Sequence, residues 1–295
     1  MTLEKLKSDP RWNDKNFRLC WLLVYSKIVP RYLYKFCQID EHLIDNLKNN
    51  QLWFSSSKDF NDPFDCKINL VNNMTPEEIE KLANKFVEMR IVNKNDRFKI
   101  VEILKSEPEK TRNMANIRIN DQLSKLGICC FSKEKYHIPM WSHYADKHQG
   151  VCLKFDVLAD TDIFFAGGSK PIGRISNMEY SNKYPQLNAY NALVEKGITR
   201  KLPFSKSNDW IYEKEFRIIS DELEGIPLGI PFNKEALIEI NFGCRIDELE
   251  NSKNTPITKV DLIETIKEAN YPNIKYYKAI TSENRFELNF EEIHI

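Results

Sequence analysis

Three short stretches hold most of the side chains able to do chemistry. The first, residues 208–219, reads N-D-W-I-Y-E-K-E-F-R-I-I. As a strand it puts Glu213, Glu215 and Arg217 on one face and Phe216 and Ile218 on the other. A guanidinium beside two carboxyls can hold one ionised while the other keeps its proton, the usual basis of acid–base work by a carboxylate pair. Trp210 and Tyr212 lie just upstream and would shield such a site from water. The same residues on a solvated edge strand would make ion pairs of little energetic weight.

The second, residues 139–156, places Trp141, His143, Tyr144 and His148 in quick succession before the alternating Val151, Leu153 and Phe155. Aromatic rings there can stack on a planar ligand while a histidine hydrogen-bonds it. The plainer alternative is that His143 and His148 cap a turn. A zinc set of His143, His148 and Cys152 or Asp146 departs from the usual ligand spacing, and no metal is expected from it. The third, F-N-D-P-F-D at residues 60–65, reads as a rigid turn. Its Asn61, Asp62 and Asp65 can also line a cleft. A nuclease alternative joins Asp62 and Asp65 to Glu213 and Glu215 around magnesium, although Glu213-Lys214-Glu215 departs from the acid–x–Lys order of one common nuclease core.

Strands are expected at residues 31–36, 51–55, 126–132, 150–156, 175–180, 215–219, 236–242 and 274–279. Helices are expected at 40–50, over most of 75–125, at 185–196 and at 258–269. Thr75-Pro76-Glu77-Glu78 has the form of a capping box with proline at the first helical position. Clustered strands with a helical insertion predict an α+β fold with mixed or antiparallel sheets. The expected organisation is a helical extension over 1–30 and one domain over 31–295, with the insertion at about 75–125. No glycine-rich phosphate loop occurs among the nine glycines, which argues against a Rossmann or P-loop domain.

The chain has 295 residues, 42% hydrophobic, with Lys plus Arg equal to Asp plus Glu at 43 each. Zero net charge gives no global argument for nucleic acid or a membrane surface. The odd cysteine count of seven, without a C-x-x-C pair, favours reduced thiols and a cytoplasmic location. The apolar run at 19–29 is interrupted by Ser26 and Lys27 and is too short to span a bilayer.

L-Y-K-F, L-W-F-S-S-x-x-x-F-N-D-P-F-D, M-W-S-H-Y-A-x-x-H-x-G-V-C-L-x-F and Y-E-K-E-F-R-I together resemble the bacterial family called domain of unknown function 2971, over about residues 33–245. The order of elements also resembles ADP-ribosyltransferases, including toxins that modify DNA. That resemblance implies NAD as substrate and an ADP-ribosyltransferase or NAD glycohydrolase of toxin or anti-phage type. It implies Glu215 as catalytic acid, with His143 in the place of a ribose-recognising histidine; Glu213, from the carboxylate pair, completes the expected catalytic set. A ligand surface is expected from Tyr34, Lys35, Ser55, Asn61, Asp62, Trp141, Tyr144, His148 and Arg217. The implied partners are a nucleotide ligand and a nucleic acid or protein acceptor, with no membrane. A non-enzymatic sensor that stacks nucleotides or nucleic acid on the aromatic cluster is a third expectation.

Overall fold

The structure, a computed structural model, describes residues 9–165, 175–195, 202–220, 228–249, 257–272 and 274–295. The expectations for residues 1–8 and for residue 196 lie outside the described residues. Ten strands form the main sheet: β1 (Tyr32–Cys37), β2 (Gln51–Ser56), β3 (Gly127–Ser132), β4 (Val151–Asp156), β5 (Ile175–Asn177), β6 (Glu215–Ser220), β7 (Leu228–Pro231), β8 (Leu237–Phe242), β9 (Lys275–Thr281) and β10 (Leu288–Ile293). Their order is β7-β2-β3-β1-β4-β8-β9-β10, and β6 pairs with β3 and β5. Every pair is antiparallel except β8 with β9, which are joined by a crossover helix. The fold is α+β, as expected.

The helices before the middle of the chain are α1 (Lys15–Tyr25), α2 (Glu41–Lys48), α3 (Pro76–Glu88), α4 (Arg97–Ser106), α5 (Pro108–Ser124) and α6 (Ile138–Tyr144), of which α2 and α6 reach the site. The crossover helix is α7 (Lys259–Ala269). Thr75 and Glu78 close the capping box that starts α3, and Thr258 and Asp261 do the same for α7. The expected helical run over 75–125 is three helices, because Arg90 takes a left-handed conformation (φ 56°) after α3 and Pro108 starts a new helix. Its basic side chains are largely answered locally, by Lys81–Glu77, Arg97–Glu80, Lys99–Asp96, Arg112–Glu109 and Lys125–Asp121 pairs. That is a solvated face. The expected 175–180 strand divides into β5 and a separate Glu179–Tyr180 pair. The expected helix at 185–196 begins as strand Gln186–Asn188 and turns helical only over Ala189–Val194. β7 and β10 had no counterpart in the sequence reading.

The sheet is split. β6 pairs with β3 along its whole length, from Glu215↔Ser132 to Ser220↔Gly127. The other edge of β3 meets β2 only at Gly127 and Ile128 and β1 only at Ser132. β1 and β2 therefore splay apart over Cys129, Cys130 and Phe131. β6 is buried on both faces. Phe216 and Ile218 enter the main core with Phe54, Phe131 and Phe155, and Ile219 enters the core of the helical lobe. Glu215 and Arg217 share the face of Ile219. Among the described residues no helix is long and apolar enough to cross a membrane.

Candidate functional site

Where β1, β3 and β6 meet α6, a cavity of about 380 Å³ opens, lined among others by Lys35, Asn61, His143, Tyr144, Glu213 and Glu215. Its floor is a buried ion network. The Arg217 guanidinium, 1% exposed, donates to both Asp65 oxygens (2.9 and 2.5 Å) and to both Glu215 oxygens (2.7 and 3.0 Å). It also donates to Pro203 O at 2.7 Å and lies 5.1 Å from the Phe60 ring centre. The Lys206 ammonium sits 2.5 Å from Glu213, 3.4 Å from Glu215 and 3.7 Å from Asp65. The Tyr144 hydroxyl donates to the other Glu213 oxygen at 2.6 Å. Buried charges endure only when paired in this way.

Local backbone geometry makes the arrangement. Glu213 ends a 3-10 turn, Asn208–Glu213, so strand alternation is not what sets its position beside Glu215 and Arg217. Lys214 takes φ 44°, which separates the turn from β6. The Ser132 hydroxyl donates to Glu213 O at 2.7 Å, and the Glu215 N–H donates to the Tyr180 hydroxyl at 2.8 Å.

The two glutamates titrate differently. Burial raises the Glu213 carboxyl, Lys206 opposes that and the Glu215 charge adds to it, so the net direction is up. Burial also pushes Glu215 up, but Arg217 and Lys206 outweigh it and pull it to about 2. Burial works against the Lys206 charge, yet Glu215 and Glu213 hold the ammonium protonated. Three carboxylates face two cations here, so one carboxylate is in excess, and Glu213 is the one that carries the mismatch. Burial keeps the Tyr144 phenol protonated, and the neighbouring Glu213 charge acts the same way.

A second cavity, about 300 Å³, occupies the split itself. Lys35, Phe36 and Cys37 of β1, Trp53 and Ser55 of β2, and Ile128 and Cys130 of β3 line it. His42 packs edge-on against Trp53 with ring centres 4.4 Å apart. The two cavities share Lys35, Phe36, Phe60, Cys130 and Tyr144 and adjoin along β1. Lys35 Nζ donates to Cys130 O at 3.3 Å across the gap.

The structure thus gathers Tyr34, Lys35, Asn61, His143, Tyr144, Glu213, Glu215 and Arg217 around one cavity, with Ser55 in its neighbour. Three expected ligand residues lie elsewhere. Trp141 is fully buried, donates its indole N–H to Lys135 O at 2.7 Å and packs on Phe36, so it is core and offers no stacking face. His148 stacks on Trp141, bonds Ser142 at 3.1 Å and lines neither cavity. Asp62 caps its own turn by accepting from Phe64 N at 2.8 Å. Lys206, absent from the expected set, is central. It lies in a two-residue strand, Ser205–Lys206, too short to leave a periodic signal. A divalent cation fits the network poorly, because Lys206 and Arg217 already occupy the oxygens of Asp65, Glu213 and Glu215.

Fold and site together define an α+β protein whose split sheet opens two adjoining cavities over a buried ion network. Residues 140–218 match the family model described as Protein of unknown function (DUF2971), which bears out the family resemblance over that span. The matched segment runs from α6 to β6 and so contains His143, Tyr144, Lys206, Glu213, Glu215 and Arg217. No curated protein and no solved structure matches the chain.

Proposed function

We propose that the paired cavities bind NAD and that the protein breaks its N-glycosidic bond, passing ADP-ribose to water or to an acceptor nucleophile. The observation that carries this reading is Glu213. It is the excess carboxylate of the network, stands in the cavity wall, and is oriented by Tyr144 and Lys206.

Bond breaking leaves positive charge on the ribose ring, and a preorganised carboxylate stabilises it. The electron pair of the C–N bond departs with the nicotinamide nitrogen. The incoming oxygen bonds to the ribose carbon, and its proton passes to Glu213, whose raised pKa makes it the stronger base. Glu215 acts one step removed. Both its oxygens are held by Arg217, and it fixes Lys206, which in turn positions Glu213. His143, on the exposed lip of the cavity, is placed to hydrogen-bond the ligand. With the reacting ribose beside Glu213, the adenosine end extends into the split, toward Trp53 and His42.

Incubation with NAD and measurement of free nicotinamide tests this. Release by the wild-type protein, and its loss in Glu213→Gln with the fold intact, is the expected result. NAD that is neither bound nor cleaved rules the reading out.

A further inference from the structure

The rim of the first cavity carries two rings, Trp210 and Tyr212, that cleavage of NAD does not use. The 3-10 turn that ends in Glu213 presents Trp210 and Tyr212, and α6 presents His143 against them. The three rings lie close together. Ring centres are 6.0 Å apart for Trp210 and Tyr212, and 6.4 Å for His143 with each. Trp210 and Tyr212 are half-buried, His143 is exposed, and Ile211 between them is 58% exposed. Beneath Trp210 the Lys206 ammonium lies 4.8 Å from the ring centre, which fixes the indole from below.

Two lysines meet at the end of this turn. Lys214 follows the turn directly, and its carbonyl accepts the Lys133 N–H at 3.1 Å, so the two lysines run side by side. Lys214 is paired with Glu134 at 2.7 Å, but that same carboxylate is shared with His137 at 3.2 Å. Among the described residues Lys133 has no ion pair of its own. It is half-buried, and burial and then Lys214 lower its pKa. Glu134 is the one carboxylate that serves both lysines, bonded to Lys214 and favouring the charge of Lys133.

Fixed aromatic rings near two lysines that share a single carboxylate suit a chain of planar groups joined by anionic links. We infer that this rim is the acceptor platform of the proposed transferase and that the acceptor is single-stranded nucleic acid. A base stacks on the Trp210, Tyr212 and His143 rings, and a flanking phosphate is met by Lys133 and Lys214. The inference rests on the NAD-cleaving reading only for the word acceptor; the binding itself is independent of it.

The test is fluorescence anisotropy with a short labelled single-stranded oligonucleotide, in the full-length protein without NAD. Nicotinamide release from NAD without any acceptor is measured in parallel. Binding should weaken steeply as salt rises. Tyr212→Ala and Lys133→Glu should each lower affinity by about tenfold, the scale of one stacked base. Neither residue lines the NAD cavities, so both variants should release nicotinamide like the wild type. A duplex of the same sequence should bind more weakly, because its bases are already stacked. An oligonucleotide that does not bind, that binds both variants as tightly as the wild type, or that binds no better than its duplex overturns the platform. Binding with the expected variant pattern in a protein that leaves NAD intact supports the platform and sinks the NAD reading instead.

Discussion

Glu213 and Glu215 are two positions apart, yet their carboxyls meet different surroundings, and that difference makes them separable by mutation. Glu213→Gln keeps hydrogen bonds to Tyr144 and Lys206 within reach and removes only an excess charge. It should melt near the wild type and lose at least about a hundredfold in nicotinamide release, the range for a positioned acid–base group. Glu215→Gln strips Arg217 and Lys206 of an anion that both need. It should cost about 3–5 kcal/mol in denaturant unfolding, the scale for breaking a buried ion pair from one side. The pH dependence carries signs. Glu213 works as a base only when ionised and its pKa is raised, so kcat/KM should climb through a limb that lies above pH 4.5, and Glu213→Gln should abolish that limb. Glu215 has a folded-state pKa of about 2, below its unfolded value. The stability it contributes is therefore full above the unfolded pKa and is lost as pH falls toward 2. Strand alternation was enough to single out these carboxylates. It could not foresee the left-handed Lys214 that frees Glu213 from β6, because a positive φ at a lysine leaves no compositional mark.

α6 shows how a motif can be singled out while its element goes unseen, since no helix was expected at residues 138–144. Its aromatic and histidine content pointed to a ligand wall, and His143 and Tyr144 do line the cavity. Trp141, one turn before Tyr144, is instead sealed into a small core with Ala145, Cys152, Ala279 and Leu288. Trp141→Ala should then cost about 3–5 kcal/mol while leaving the KM for NAD unchanged, and a melting curve beside a kinetic titration separates these effects. The turn after α6 is equally specific. Asp146, Lys147 and His148 all have positive φ, and the chain escapes through Gly150. A Cβ on Gly243 would sit 2.0 Å from His148 O, and one on Gly150 would sit 2.3 Å from Cys37 O. Both contacts are with backbone, which cannot rotate away. Gly243→Ala should therefore shift the turn that ends α6, lowering the melting temperature and, through Tyr144, nicotinamide release together. The β1, β2, β3, β4, β6, β8 and β9 strands were legible from runs of β-branched and aromatic residues. β7 and β10 were not, since Leu228–Pro231 includes a glycine and a proline, and Leu288–Ile293 alternates with exposed acids on an edge.

Viewed as one object, the molecule gains its cleft from a failure of pairing. β3 is shared by β6 on one edge and by the ends of β1 and β2 on the other, so the sheet cannot close over Cys129–Phe131. No local pattern in the sequence states this, because it depends on which of several similar strands neighbour one another. The two cavities exist only because three segments far apart in the chain, around Asn61, His143 and Glu215, meet at that opening. A ligand that spans both cavities ties β1, β2 and β3 together and should stabilise the fold more than one that fills a single cavity. ADP-ribose at about 100 times its Kd should add about 2.7 kcal/mol to unfolding. Nicotinamide at the same concentration should add less, because it occupies only the Glu213 side. Trp53→Ala removes an aromatic wall of the second cavity without touching the ion network. It should weaken the stabilisation by ADP-ribose and leave that by nicotinamide intact, read as thermal shifts across a concentration series. Equal loss for both ligands would mean that they share one cavity and that the split is only a structural seam. No shift with either would remove NAD from the cleft.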